Sequence, residues 1–200
     1  MESENILQFA KMTGTGNDFI VFDNRERLFT GSERAYFQKL CQRGFSIGAD
    51  GILLLEEGKK ALLSMRYFNS DGLEAQMCGN GLRCLAFYAC VEGLVQGPAF
   101  TMEASDGVHE VEIHENIVAV SMGDPRELNL SPGIMASTDF DEGGFIDTGV
   151  PHYVLFTKDL DSVDVNTVAV AYRNHRAFNE GANVNFVEVK GGNHIAVRTY

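Results

Sequence analysis

The chain has 200 residues and a formal net charge of −12 at pH 7, a length for one large domain or two small ones and a charge that argues against nucleic acid or an anionic membrane as partner. It is 44% hydrophobic and 22% charged, enough to fill a core, yet no apolar run approaches the roughly 18 residues of a membrane span. The acidic start Met1-Glu2-Ser3-Glu4 lacks the basic and apolar parts of a signal peptide, so the expected location is cytoplasmic.

Phe9 to Asp23 reads as strand, turn and strand about Gly14-Thr15-Gly16. Ser32 to Cys41 carries Tyr36, Phe37, Leu40 and Cys41 at helical spacing, with Ser32 as N-cap. Residues 51–55 and 62–68 are apolar strands, and Asn69-Ser70-Asp71-Gly72 is a turn. Residues 79–91 are apolar on nearly every side, which predicts a helix buried all round and ended by Gly93. Residues 99–122 alternate as short strands around Ser105-Asp106-Gly107 and Glu115-Asn116. From Gly123-Asp124-Pro125 to Gly144 the chain reads as a polar crossover. Beyond it, residues 145–147, 153–156, 184–189 and 195–200 are strands, the last two a hairpin across Gly191-Gly192-Asn193. No second buried helix is predicted. The reading is an α+β fold with an N-terminal domain over 1–123 and a partial C-terminal domain over 124–200.

Cys41, Cys78, Cys84 and Cys90 are read as thiols in a reducing compartment. On one helix, Cys78, Cys84 and Cys90 would point roughly 120° apart, so they cannot converge on an ion, and no metal site is expected. Three of the four read as apolar filler. Cys78 differs. It stands in Met77-Cys78-Gly79-Asn80-Gly81, immediately before the buried helix, where free N–H groups favour a thiolate and a bound carboxylate. The two glycines would let a ligand approach those N–H groups. Asn17 and Asn69, each in a turn beside a strand, offer the paired donor and acceptor that a zwitterionic amino acid needs, although taken singly each is ordinary turn chemistry. Gly14-Thr15-Gly16 lacks the third glycine and the following helix of a dinucleotide site.

Gly16-Asn17-Asp18-Phe19, Gly48-Ala49-Asp50-Gly51, Phe68-Asn69-Ser70-Asp71-Gly72 and Met77-Cys78-Gly79-Asn80-Gly81-Leu82-Arg83-Cys84 occur in this order. Together with Val150-Pro151-His152 and Gly181-Ala182-Asn183-Val184-Asn185-Phe186, they closely resemble the diaminopimelate epimerases, from about residue 8 to residue 200. The resemblance implies two pseudo-symmetric units of mixed sheet, each wrapped around a central helix, and a homodimer. It implies a cofactor-independent isomerase that interconverts LL- and meso-diaminopimelate, a small amino-acid substrate, on the route to lysine and peptidoglycan. Inversion needs one base on each face of the α-carbon and donors aimed at the carboxylate where charge develops. The resemblance makes Cys78 one base. Gly79 and Asn80 become amide donors, Asn17, Asn69 and Asn183 substrate contacts, and His152 the residue that tunes the thiol pair. A related amino-acid racemase, a phenazine-biosynthesis-type isomerase and a non-catalytic amino-acid-binding fragment are the alternatives.

Two positions depart from the family. Val150 stands where an asparagine is usual, and Gly51 brings no side chain. The family also continues into a second Cys-Gly-[Thr/Ser]-Gly block, absent from these 200 residues. Cys78 lies 61 residues after Asn17, and the same step from Val150 reaches position 211. The expectation is a truncated second unit lacking its central helix and its base, and little epimerase activity from this chain alone.

Overall fold

The computed structural model describes residues 6–134, 139–178 and 181–200, and the chain divides into two compact units, 1–122 and 123–200. In the first unit the order is β1 (Ala10–Gly14), β2 (Asn17–Asp23), α1 (Arg34–Cys41), β3 (Gly51–Glu57), β4 (Leu63–Asn69), β5 (Glu74–Ala75), α2 (Gly79–Val91), β6 (Ala99–Ala104), β7 (Gly107–His114) and β8 (Ile117–Val120). One mixed sheet runs β1-β2-β3-β4-β6-β7-β8, with β5 on β4. The β2–β3 and β4–β6 pairs are parallel and the others antiparallel.

The continuous apolar runs of β2 and β3 are explained by burial on both faces. Phe19, Val21, Leu53 and Leu55 turn to α2, sharing a core with Leu82, Leu85, Ala86 and Ala89. Ile20, Phe22, Ile52 and Leu54 turn the other way, to Phe37 and Cys41 of α1 and to Phe68. On α2 no residue from Gly79 to Cys90 is exposed, so its unbroken apolar surface has the cover it requires. Gly93 ends the helix in the left-handed region at φ +68°, with Leu94 N–H donating to Ala89 O and Gly93 N–H to Cys90 O, the paired bonds of a Schellman motif.

Ser32 does not cap α1. Glu33 is the N-cap residue and its side chain does not cap either. Its carboxylate instead accepts from the N–H groups of Thr30 and Gly31, while Ser32 Oγ bonds Thr30 Oγ1.

The second unit holds β9 (Arg126–Asn129), β10 (Asp141–Asp147), β11 (Pro151–Phe156), α3 (Val165–Arg173), β12 (Asn183–Gly191) and β13 (His194–Thr199), in the sheet order β13-β12-β11-β10-β9. One expectation changes here. The polar stretch from Gly123 to Gly144 is not all crossover: Arg126–Asn129 pairs with β10, and an edge strand can be polar because the ladder, not side-chain burial, secures it. Residues 135–138 of that stretch lie outside the described residues. The unit also holds a helix that the sequence reading left unmarked. In α3, Val165, Ala169 and Tyr172 are buried against Tyr153, Leu155, Val184 and Phe186 of the sheet, and Asp164 caps the start by accepting from Thr167 N–H. Unlike α2, it is amphipathic, with Val170 42% exposed.

The two units share a plan. An antiparallel strand pair, a helix, a strand parallel to the second and a further antiparallel strand occur as β1-β2-α1-β3-β4 and again as β10-β11-α3-β12-β13. The turn Thr15-Gly16 joining β1 to β2 has positive φ at both residues (+52° and +88°), the type I′ geometry that suits hairpin twist. Gly149 in the corresponding bend has φ +103°.

Gly51 is set by close approach. A Cβ there would stand 2.4 Å from Phe68 O and 2.5 Å from Tyr67 Cε2, so the Tyr67 ring occupies the space a side chain would need. Gly51→Ala is expected to cost about 1–3 kcal/mol as overpacking, read as a lower urea midpoint. An unchanged midpoint would contradict this close approach.

Candidate active site

Strand direction gathers the first group of site residues. β2 starts at Asn17, β3 runs parallel to it from Gly51, and β4 arrives antiparallel and ends at Asn69. The register Phe19↔Gly51↔Asn69 puts these three strand ends on one edge of the sheet. The start of α2 reaches the same edge, where Cys78 Sγ lies 3.8 Å from Asn17 Oδ1. Asn69 is exposed at the tight turn closed by Gly72 N–H donating to Asn69 O.

Cys78 is the N-cap residue of α2, and its sulfur accepts from Gly81 N–H at 3.4 Å. Asn80 is tied back to the β1–β2 turn: its Oδ1 accepts from Thr15 Oγ1 at 2.9 Å and from the Arg83 guanidinium. These bonds tie the positive-φ Thr15 into the site, where local backbone strain is often stored. The two glycines of the motif serve different ends. Gly79 is half-buried, in keeping with a face open to a ligand. Gly81 is buried, and a methyl there would stand 2.9 Å from Leu53 Cδ2, so it is small for packing and not for ligand access.

The thiol's acidity departs from expectation. Burial pushes Cys78 up, and the N–H groups of Gly81 and Asn80 with the Arg83 charge pull down without overcoming it. Cys78 therefore rests as a thiol. Cys41 and Cys84 are buried fillers pushed up by burial to about 11, and among the described residues no group of His, Cys, Asp and Glu is placed to hold a metal ion.

Beside Asn17 lies a charged network that the sequence reading passed over. Asp50 Oδ2 accepts from Asn17 Nδ2 and from Asp18 N–H, both at 3.0 Å, while Arg43 pairs with both Asp18 and Asp50. The Arg43 guanidinium holds Asp18 well below the usual carboxylate range against a burial penalty, helped by Lys11 and Asp50. A carboxylate whose folded pKa is depressed stabilises the fold above its unfolded value and loses that contribution as pH falls towards the folded one. Stability is therefore expected to fall below about pH 4, and Asp18→Asn to flatten that fall. Parallel acid-unfolding curves for the two proteins would contradict it.

The second group sits in the other unit. His152 on β11 pairs in register with Asn183 on the parallel β12. Asn185, two residues on, presents Nδ2 to His152 Nδ1 at 3.0 Å, its Oδ1 being taken by Thr199 Oγ1 at 2.9 Å. The donated bond makes Nδ1 an acceptor, so the proton of the neutral ring is on Nε2. Burial lowers the His152 pKa, with the Asp147 charge acting against it, so the ring is neutral near pH 7. Asn185 was missed as a partner, although its two-residue spacing from Asn183 on a strand places both on one face.

The diaminopimelate epimerase family profile matches residues 9–128. Over 97% of its length the chain is 38% identical to the diaminopimelate epimerase of Flavobacterium psychrophilum, spanning 73% of that protein. It is 41% identical to that of Methanothrix thermoacetophila, over 98% of this chain and 74% of the relative. The chain belongs to the diaminopimelate epimerase family. It is thus of isomerase lineage.

Solved structures of low identity share the fold of this epimerase family member. A PhzF-family phenazine biosynthesis protein from Bacillus anthracis matches 97% of this chain and 70% of its own, with TM-score 0.67 and 16% identity. A hydroxyproline epimerase from Agrobacterium vitis matches 100% and 70%, with TM-score 0.65 and 14% identity. Among the described residues no helix is long and apolar enough to cross a membrane.

Proposed function

We propose that this chain carries the chemistry of a diaminopimelate epimerase, moving the α-proton of diaminopimelate between LL and meso forms without a cofactor, with Cys78 as one of the acid/base groups. The observation that carries the reading is the Cys78 thiol at the start of the buried helix with the Asn17 amide against it, in a chain of this family.

As thiolate, Cys78 takes the α-proton and becomes the thiol, leaving the electron pair on the α-carbon. As thiol, it returns a proton to that carbon and becomes the thiolate. N–H groups of Gly79 and Asn80 at the start of α2 would face the substrate carboxylate, the place where the carbanion's charge spreads. Asn17 and Asn69 line the same edge of the sheet and are assigned to the substrate's ammonium and carboxylate groups. His152 and Asn183, side by side on their own sheet, are assigned to substrate contact and to tuning the thiol pair. A homodimer and a place in lysine and peptidoglycan precursor synthesis belong to this same reading.

The test is deuterium uptake at the α-carbon in heavy water, followed by NMR, with diaminopimelate and proline in parallel. One base suffices for exchange, whereas inversion needs a second on the opposite face, so exchange reads Cys78 by itself. Because Cys78 rests as a thiol, exchange should quicken as pH rises from 7 and the thiolate becomes populated. Calorimetric binding of diaminopimelate with no exchange at any pH would replace the enzyme reading by an amino-acid-binding one. Exchange of proline alone would move the substrate to the cyclic amino acids.

A further inference from the structure

An asparagine amide is ambivalent: beside a sulfur it presents either an oxygen, which favours the thiol, or an NH2, which favours the thiolate. At Asn17 something decides between them. Asp50 carries a carboxylate, which only accepts, and its Oδ2 lies 3.0 Å from Asn17 Nδ2. That contact takes up the NH2 end and leaves Oδ1 to face Cys78 Sγ at 3.8 Å. Asp50 is itself held from three sides. Its Oδ2 also accepts from Asp18 N–H at 3.0 Å, its Oδ1 accepts from Arg43 Nη2 at 2.9 Å, and its own N–H donates to Asp18 O at 2.9 Å. Free rotation of the Asn17 amide would break this arrangement.

We propose that Asp50 is a positioning residue acting through Asn17: it locks the amide with its oxygen towards Cys78 and so holds that sulfur in its protonated, proton-donating form. This rests on the reading of Cys78 as an acid/base group but extends it, by assigning which of the two protonation states the surroundings are built to keep. The thiol lies among few ionisable neighbours. Tyr67 on β4 and Cys84 on α2 sense its charge, and Arg83 on α2 is the cation whose field reaches it. Asp50 touches Asn17 and not the sulfur, so its influence is expected to travel through the amide.

The experiment is the rate of alkylation of Cys78 by iodoacetamide as a function of pH, on the full 200-residue chain, with the modified cysteine located by peptide mass. In Asp50→Ala the Asn17 amide is free to turn its NH2 to the sulfur. The profile is then expected to move down by about one pH unit, roughly a tenfold faster reaction at pH 7. Asp50→Asn keeps an oxygen that accepts from Asn17 Nδ2, and should keep the wild-type profile. In an Asn17→Ala background, Asp50→Ala should shift nothing further, since the element it positions is gone.

Three results overturn the proposal: an unshifted profile in Asp50→Ala, an equal shift in Asp50→Asn, or a shift of the same size in the Asn17→Ala background. The last two would make Asp50 a distant charge and not a positioning group. If Asp50→Ala does not fold, Asp50→Leu, branched at the same carbon and without an acceptor, takes its place. Alkylation needs no substrate. A failure of α-proton exchange therefore leaves this inference standing, and a failure here leaves the epimerase reading standing.

Discussion

Cys78→Ser is expected to abolish α-proton exchange in a protein at least as stable as the wild type. The sulfur has two duties that the serine oxygen divides. It caps α2 by accepting from Gly81 N–H, and it titrates. Serine is a better N-cap than cysteine, so helix stability holds or rises. Its hydroxyl is a far weaker acid than a thiol, so the thiolate's role has no replacement, and exchange should fall by about 10²- to 10⁴-fold, the usual worth of a positioned base. Cys78→Ala loses both duties. It should lose exchange to the same degree and also about 0.5–2 kcal/mol of stability with the cap. Exchange surviving in the serine variant within tenfold of wild type would remove Cys78 from the chemistry. The contrast between the two variants matters because a fall in activity alone does not separate a base from a cap.

Leu53→Ala is expected to be the most damaging single truncation beneath the site, costing about 2–5 kcal/mol. Leu53 is fully buried at the centre of β3, and its Cδ2 lies where a side chain on Gly81 would have to go. The cavity would therefore open directly under the first turn of α2, one helical turn from Cys78. A second substitution makes the claim sharper. Gly81→Ala alone meets Leu53 and has to push it aside. In the Leu53→Ala background the added methyl has room, fills part of the void, and brings alanine's helix preference of about 1 kcal/mol over glycine. The double variant should be more stable than Leu53→Ala alone in urea denaturation. Equal destabilisation by Gly81→Ala in both backgrounds would show that the two positions do not share this space.

The parts of the fold legible in the sequence are those where one residue type meets one physical demand. The apolar runs of β2 and β3 and the unbroken apolar surface of α2 could only be buried, and they are. The alternation of β7, with His109, Val111 and Ile113 inward, gives a half-covered strand. α3 escaped because Val165, Val168 and Val170 suggest a strand when read for residue type. The better signal was spacing: Val165, Val168, Ala169 and Tyr172 follow the i, i+3, i+4, i+7 pattern, with Asp164 placed to cap. β9 escaped for the opposite reason, having no buried side chain to mark it.

That Cys78, Asn17 and Asn80 belong together was legible because they sit in short motifs beside glycines, and the structure places them side by side. The acidity of Cys78 was not, since the helix terminus and burial push the thiol in opposite directions and only packing shows which wins. The partnerships of Asp50 with Asn17 and of Asn185 with His152 were missed because each joins side chains 33 residues apart in sequence. Such partnerships are created by register, and register is what a linear reading of motifs leaves out.

The repeated β-β-α-β-β plan has a consequence for how each unit assembles. Each unit has to close a crossover that brings two parallel strands together. Val21 finds Leu53 and Tyr153 finds Val184, spans of 32 and 31 residues. Loop-closure entropy grows only with the logarithm of span, so the two closures differ by about 0.03 kcal/mol. Chain connectivity thus charges both units the same entry fee, and a difference in how long each resists hydrogen exchange must come from the layers laid on afterwards. In the first unit those layers are α1 on one face of the sheet and α2 on the other. The repeat makes one polypeptide into a matched pair in which equal chain connectivity meets different packing.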